Sequence, residues 1–91
     1  MQLEKEIEKY LTDRVRKAGG HCWKFTSPGR SGVPDRVLIC KGQVIFAEIK
    51  KPDGVLSPIQ KVRIDQIRNQ GIQAEVIWSK QDVDQLMRQF E

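Results

Sequence analysis

The chain has 91 residues, of which 38% are hydrophobic, and 16 Lys and Arg against 12 Asp and Glu give a formal net charge of +4. This length predicts one small domain with a modest core, which we take as residues 1–91. The charged N-terminus lacks the apolar segment of a secretory signal, and no apolar run reaches membrane-spanning length, so we expect neither export nor a membrane anchor. The mild basic excess is compatible with a polyanionic partner but does not identify one.

Residues 2–18 are predicted to form a helix that ends at Gly19-Gly20. At about 100° per residue, its apolar side chains share one face: Leu3, Ile7, Tyr10, Leu11, Val15 and Ala18. Glu4 lies close to that face, where a carboxylate needs a partner or a function. Glu4 is therefore either an acid of a functional site or a helix-start residue favoured by the helix dipole, and Glu8, one turn further along, is the fallback for the site.

Residues 21–25 alternate in polarity and predict a strand, with Trp23 and Phe25 expected in the core. Cys22 and Cys40 also lie in predicted strands and are expected to be reduced and buried, because the chain lacks a secretory signal. A zinc site formed by His21 with both cysteines is an alternative that no Cys-x-x-Cys spacing supports.

Residues 26–33 form a loop rich in Ser, Gly and Pro that carries Arg30 and leads directly to Asp35. Glycines allow a backbone to approach a ligand closely, and exposed amides and hydroxyls can hold phosphate. The loop is therefore interpreted as a substrate-contacting segment, with a flexible connector as the alternative.

Residues 34–50 predict a β-hairpin that turns at Lys41-Gly42, and its second strand is apolar on both faces until Glu48, which indicates an internal strand. In an antiparallel hairpin, the start of the first strand lies beside the end of the second, so Asp35 is expected near Glu48 and Lys50. Two carboxylates and an amine at a strand end suit a hard divalent cation such as Mg²⁺ or Mn²⁺. The alternative is an exposed Glu/Lys pair without a functional role.

Residues 57–60, Ser-Pro-Ile-Gln, predict the start of a helix that runs to about Gln70 and stops at Gly71. Gln60 either completes a capping box with Ser57 or contacts the functional site. Within this helix Ile59, Val62 and Ile67 are expected to point inward, and Lys61, Arg63 and Arg68 outward. A strand over residues 73–78 and a helix over residues 79–90 follow, the latter with an apolar stripe: Val83, Leu86, Met87 and Phe90.

Pro34-Asp35, followed after 12 residues by Glu48-Ile49-Lys50, resembles the PD-(D/E)xK nuclease signature. Together with residues 24–36 and 56–60, these motifs resemble the VRR-NUC family of small virus-type and repair nucleases, over residues 4–78. The predicted order α-β-β-β-α-β-α indicates an α/β fold with a mixed sheet flanked by helices. The resemblance implies that this is the restriction-endonuclease-like fold.

The resemblance also implies a Mg²⁺- or Mn²⁺-dependent DNA endonuclease that hydrolyses phosphodiester bonds. The implied metal ligands are Asp35, Glu48, the backbone of Ile49, and Glu4. Lys50 is expected to act on the attacking water, and Gln60 to contact the water, Lys50 or phosphate. The residues expected to contact DNA are Lys24, Ser27, Arg30, Ser31, Arg36, Lys51 and Lys61.

Standalone members of this family resemble junction resolvases, which implies a homodimer acting on four-way (Holliday) junctions, with a cytoplasmic location in a bacterial or phage-infected cell. The apolar faces of the N-terminal and C-terminal helices are the candidate interfaces. Three alternatives remain open: a flap or single-strand nuclease, an inactive nucleic-acid-binding module of the same fold, and a plain interaction domain.

Overall fold

The computed structural model describes residues 2–91, which form three α-helices and four strands in the predicted order. The elements are α1 (Glu4–Lys17), β1 (His21–Lys24), β2 (Arg36–Cys40), β3 (Gln43–Ile49), α2 (Pro58–Asn69), β4 (Gln73–Ile77) and α3 (Lys80–Met87), followed by a 3₁₀ turn at Arg88–Phe90. Within residues 2–91, none of the helices combines the length and the apolar character needed to cross a membrane.

The four strands form one sheet in the order β1-β2-β3-β4, in which β1, β2 and β3 are antiparallel neighbours and β3 and β4 are parallel. The β2–β3 hairpin turns at Lys41 (φ 48°) and Gly42 (φ 78°). Two positive φ angles in a two-residue loop match the twist of the flanking strands. The internal position predicted for β3 and the mixed sheet are both confirmed.

One face of the sheet carries the core, beneath α1 and α3. Ile45, Ala47 and Ile49 on β3 are fully buried there, and the apolar stripes of α1 and α3 close over them. The prediction of a dimer interface on the apolar faces of those two helices is therefore wrong, because these faces are buried in the core of the same chain. An apolar stripe predicts burial but does not distinguish a core from a partner.

The opposite face is covered by α2, which packs against β4. Trp23, on the edge strand β1 at the other side of the sheet, is 55% exposed, so its expected place in the core is wrong. Val44, on the same face, is 45% exposed. The α/β pattern predicts helices on both faces but not how far one helix reaches across a sheet.

The inward face of α2 also differs from the expectation, since Ile59 and Val62 are exposed and Ile64 is only 3% exposed. Ile59 instead abuts Gly32 of the preceding loop. Gln60, Ile64 and Ile67 share one face of α2 at helical spacing, and all three are buried or half-buried.

Cys22 and Cys40 are both free thiols, half-buried and buried respectively. His21 stacks on Trp23, with ring centroids 5.5 Å apart. No group of three or more His, Cys, Asp and Glu side chains within residues 2–91 is arranged to hold a metal ion. His21, Cys22 and Cys40 therefore do not form the zinc site considered as an alternative.

The junction between α1 and β1 leaves no room for a side chain at the buried Gly20, where an added Cβ would lie 2.7 Å from the Ile39 carbonyl oxygen and 2.8 Å from Cys40 Cβ. We expect Gly20→Ala to lower the free energy of unfolding by about 2 kcal/mol, through overpacking against backbone. Gly29→Ala is the matched control, because an added Cβ there meets nothing within 4 Å. Urea unfolding of both variants checks this, and equal stabilities would contradict it.

Candidate active site

The β2–β3 register places the two acids of the hairpin opposite each other. Arg36 pairs with Ala47, so Asp35 and Glu48 lie one step further along the same ladder. Asp35 Oδ2 accepts a hydrogen bond from the Ile49 amide at 3.1 Å, which holds its carboxylate against the end of β3. The structure therefore brings together Asp35, Glu48 and the backbone of Ile49.

Glu48 is the buried charged residue of the site, with 2% of its surface exposed. Its Oε2 accepts a hydrogen bond from Gln60 Nε2 at 3.4 Å, whereas its Oε1 is buried without a hydrogen-bond partner among residues 2–91. Burial, followed by the neighbouring Asp35 carboxylate, raises the pKa of Glu48 from 4.5 to about 8. A buried carboxylate oxygen without a partner is costly, and a bound cation would remove that cost.

Lys50 and Glu4 act on Glu48 in opposite directions. The half-buried Lys50 lies just past β3, its amide donates to the Ile77 carbonyl at 2.9 Å, and its positive charge lowers the pKa of Glu48. Glu4 is close enough to raise that pKa, although its side chain is exposed at the start of α1. Glu4 therefore lies near the site with an exposed side chain. It does not belong to the buried stripe of α1, close to which the sequence placed it.

Glu8, the fallback for Glu4, is engaged elsewhere. Its carboxylate forms an ion pair with Arg36 at 3.2 Å. Arg36 also donates to the Cys22 carbonyl at 3.4 Å, and its side chain is 15% exposed. Since Asp35 faces the site, the adjacent Arg36 points toward α1, so it is not placed as the expected DNA contact.

Gln60 caps α2 and also reaches the site, where its observed partner is Glu48 and the contact to water, Lys50 or phosphate stays a prediction. The side-chain Oε1 of Gln60 accepts a hydrogen bond from the backbone amide of Ser57 at 2.9 Å. The backbone amide of Gln60 donates to Ser57 Oγ at 3.2 Å, and the two bonds together form the capping box. The other end of the same side-chain amide, Nε2, donates to Glu48. Helix capping thus orients the amide so that its NH₂ group faces the buried carboxylate.

The loop of residues 26–33 is held against α2 by specific contacts. Arg63 Nε donates to the Ser31 carbonyl at 2.9 Å, and Gly32 packs on Ile59 so tightly that an added Cβ would lie 2.9 Å from it. Arg63, expected to point outward, is half-buried, and no sequence motif indicated this contact. Of the remaining expected DNA contacts, Ser27 is half-buried and the following are exposed: Lys24, Arg30, Ser31, Lys51 and Lys61.

The donor set fits a hard divalent cation. Carboxylate and backbone oxygens are the ligands that Mg²⁺ and Mn²⁺ prefer, and a Mg²⁺ site needs only one or two carboxylates because the ion keeps several waters. Asp35 and Glu48 supply these two carboxylates, and Glu48 Oε1 is without a protein partner among the described residues.

The raised pKa of Glu48 makes the stability of the metal-free protein depend on pH. Between pH 4.5 and about 8, folded Glu48 holds a proton that the unfolded chain releases, so its contribution to stability falls as the pH rises. Glu48→Gln has no proton to lose, so we expect it to exceed the wild type in unfolding free energy by roughly 3 kcal/mol more at pH 8 than at pH 5.

Urea unfolding in the presence of a chelator at both pH values measures this difference. Glu6→Gln, at an exposed position of α1, is the control for replacing a carboxylate by an amide away from the buried site. A pH-independent effect of Glu48→Gln would contradict the raised pKa.

Comparison with known proteins identifies the family and confirms the fold. The VRR-NUC domain family model matches residues 2–81. A solved VRR-NUC domain superposes with a TM-score of 0.89 at 30% identity, over 97% of both chains. "Putative nuclease p44" of Acyrthosiphon pisum secondary endosymbiont phage 1 is 52% identical over 58 residues, or 63% of this chain, and the match spans 62% of that curated relative's length. The chain therefore belongs to the VRR-NUC family.

Proposed function

We propose that residues 1–91 act as one metal-dependent DNA endonuclease that hydrolyses phosphodiester bonds. The observation that carries this proposal is the buried Oε1 of Glu48, which has no hydrogen-bond partner within residues 2–91 and lies beside the Asp35 carboxylate. Such an arrangement is costly in a structural role and suited to a cation. Family membership and the nuclease name of the phage relative support the same reading.

Asp35, Glu48 and the carbonyl of Ile49 would hold Mg²⁺ or Mn²⁺, and Glu4 would reach the ion through water, since within residues 2–91 it does not form a three-carboxylate group with the other two acids. A bound ion lowers the pKa of its water and stabilises the charge that develops on the scissile phosphate. Lys50 would orient the attacking water through its ammonium group, or accept the proton of that water after first losing one of its own. Gln60 keeps the Glu48 carboxylate in place through its amide.

The basic and polar side chains around the site supply salt-sensitive contacts to the DNA backbone without reading bases. Those that we propose are Lys24, Ser27, Arg30, Ser31, Lys51 and Lys61. Arg36 is left out of this set, because its guanidinium is held by Glu8 on the other side of the sheet.

The preferred substrate that we propose is branched DNA, with a four-way junction cleaved by a homodimer as the leading case. A two-fold dimer suits a two-fold substrate, because each copy presents one site to one of two equivalent strands. The stripes of α1 and α3 are not available to join the copies. Labelled four-way junctions, flaps, single strands and linear duplexes, each incubated with Mg²⁺ or Mn²⁺, distinguish this enzyme from a flap or single-strand nuclease.

We expect Asp35→Asn and Glu48→Gln to slow DNA cleavage by about 100-fold or more, since each removes a charged ligand of the cation. DNA affinity without metal should be unchanged or tighter for Asp35→Asn, which removes negative charge near phosphate, and unchanged for Glu48→Gln near pH 7, where Glu48 already holds a proton. Single-turnover cleavage and fluorescence anisotropy measure the two quantities. Undiminished cleavage in either variant would refute the site.

Lys50→Ala should lower the cleavage rate at saturating DNA by about 100-fold with little loss of affinity, because Lys50 acts on the reacting water. Lys51→Ala is the matched control: this exposed neighbour is proposed to contact phosphate, so its loss should weaken affinity and leave the saturated rate nearly unchanged. If Lys50→Ala lowered affinity alone, the role given to Lys50 would be wrong.

A further inference from the structure

An open groove of about 320 Å³ lies on the α2 side of the sheet. Its floor is apolar and includes Phe25, Phe46 and Ile67, and its rim includes Arg30, Arg63 and Gln66. The metal ligands proposed above lie outside its lining. The groove is thus a separate feature of the functional face.

The groove adjoins the acids along two strands. Phe46 precedes Glu48 by two residues on β3, so both side chains project from the same face, about 7 Å apart along the strand. The amide of Phe25 donates to the Asp35 carbonyl at 2.8 Å. A ligand in the groove would therefore lie next to the proposed cation, on the same face of the sheet.

The chemistry of the floor suits a flat, partly apolar group. The Phe25 and Phe46 rings meet edge to face, with centroids 5.3 Å apart and planes at 66°. Nucleobases stack on such aromatic side chains without regard to sequence. The volume lies at the low end of the roughly 300–1,000 Å³ of small-molecule sites, which fits one base.

The chemistry of the rim suits the phosphates that flank a base. Arg30 is exposed, and Arg63 is fixed by the Ser31 carbonyl and by Gln66 Oε1 at 3.1 Å. Two guanidinium groups favour a polyanion. They are less suited to a second copy of a chain whose own net charge is +4.

We propose that this groove binds one unpaired nucleobase of the DNA strand beside the scissile phosphate. The statement rests on the proposed function for the nature of the substrate. It narrows the substrate to DNA that offers an unpaired or easily unpaired base next to the incision, as branch points, flaps and single strands do.

The test scans the unpaired arm of a flap substrate, whose branch point fixes the register of the strand on the protein, by replacing one nucleotide at a time with an abasic residue and measuring affinity by anisotropy without divalent metal. Loss of the bound base should weaken wild-type binding about tenfold at a preferred position. Phe46→Leu should abolish this position dependence. Phe25→Leu, just outside the edge strand β1, is a second variant that does not disturb an internal strand.

Trp23→Leu is the matched control, because Trp23 is an aromatic residue on the same face, 55% exposed and outside the groove lining. It should keep the position dependence of the wild type. Uniform sensitivity along the wild-type strand, or a dependence that survives both phenylalanine variants, would overturn the proposal. So would sedimentation in which the phenylalanine variants, but not Trp23→Leu, convert a dimer to monomers, since the groove would then hold a second copy.

Cleavage with Mn²⁺ separates this inference from the proposed function. Position-dependent binding without cleavage would support the groove and overturn the nuclease assignment. Cleavage without position dependence would overturn the groove and leave the nuclease assignment standing.

Discussion

The pairing of β2 with β3 is the constraint on which the candidate site depends. The Lys41-Gly42 turn, with both φ angles positive, sets a register in which Asp35 lies across from Glu48. A shift of one residue would send one acid to the face beneath α1 and leave the other behind. The proposed chemistry at one end of the hairpin thus depends on a backbone conformation at the other.

The two faces of the sheet have different roles. The face beneath α1 and α3 is closely packed and holds the fully buried apolar residues of β3. The other face is only partly covered and carries Glu48, the groove and the exposed Trp23. α2 ties this second face together, since Gln60 at its start holds Glu48 and Arg63 one turn later holds the Ser31 loop. One capped helix therefore positions both a proposed metal ligand and a proposed DNA-contacting segment.

The features that the sequence predicted correctly are those that depend on residues close together in the chain. Alternation and turn chemistry were enough for the hairpin, for the internal β3 and for the proximity of Asp35 and Glu48. Alternation also determines the direction of Arg36. Adjacent strand residues point to opposite faces, so Arg36 lies on the face opposite Asp35, which is the face that α1 covers.

Other features depend on how the helices pack on the sheet, which no local sequence pattern indicates. Trp23 is exposed because α2 packs on the far edge of the sheet, and Ile64 is buried although Ile59 and Val62 of the same helix are exposed. The contact between Arg63 and the Ser31 carbonyl joins positions 32 residues apart, with no motif to mark it.

The same few groups influence both the ionisation of the Glu48 carboxyl group and its proposed role as a metal ligand. Lys50 favours the ionised carboxylate and is the residue proposed to act on water, while Gln60 caps α2 and binds Oε2. Asp35 opposes ionisation in the metal-free protein and would share the cation with Glu48 when one is bound. A bound cation would take the place of the proton that Glu48 otherwise holds, so that both carboxylates could remain ionised side by side. Because an apolar replacement at position 48 would relieve the burial cost equally well, the presence of a carboxylate there is best explained by the ligand it can hold.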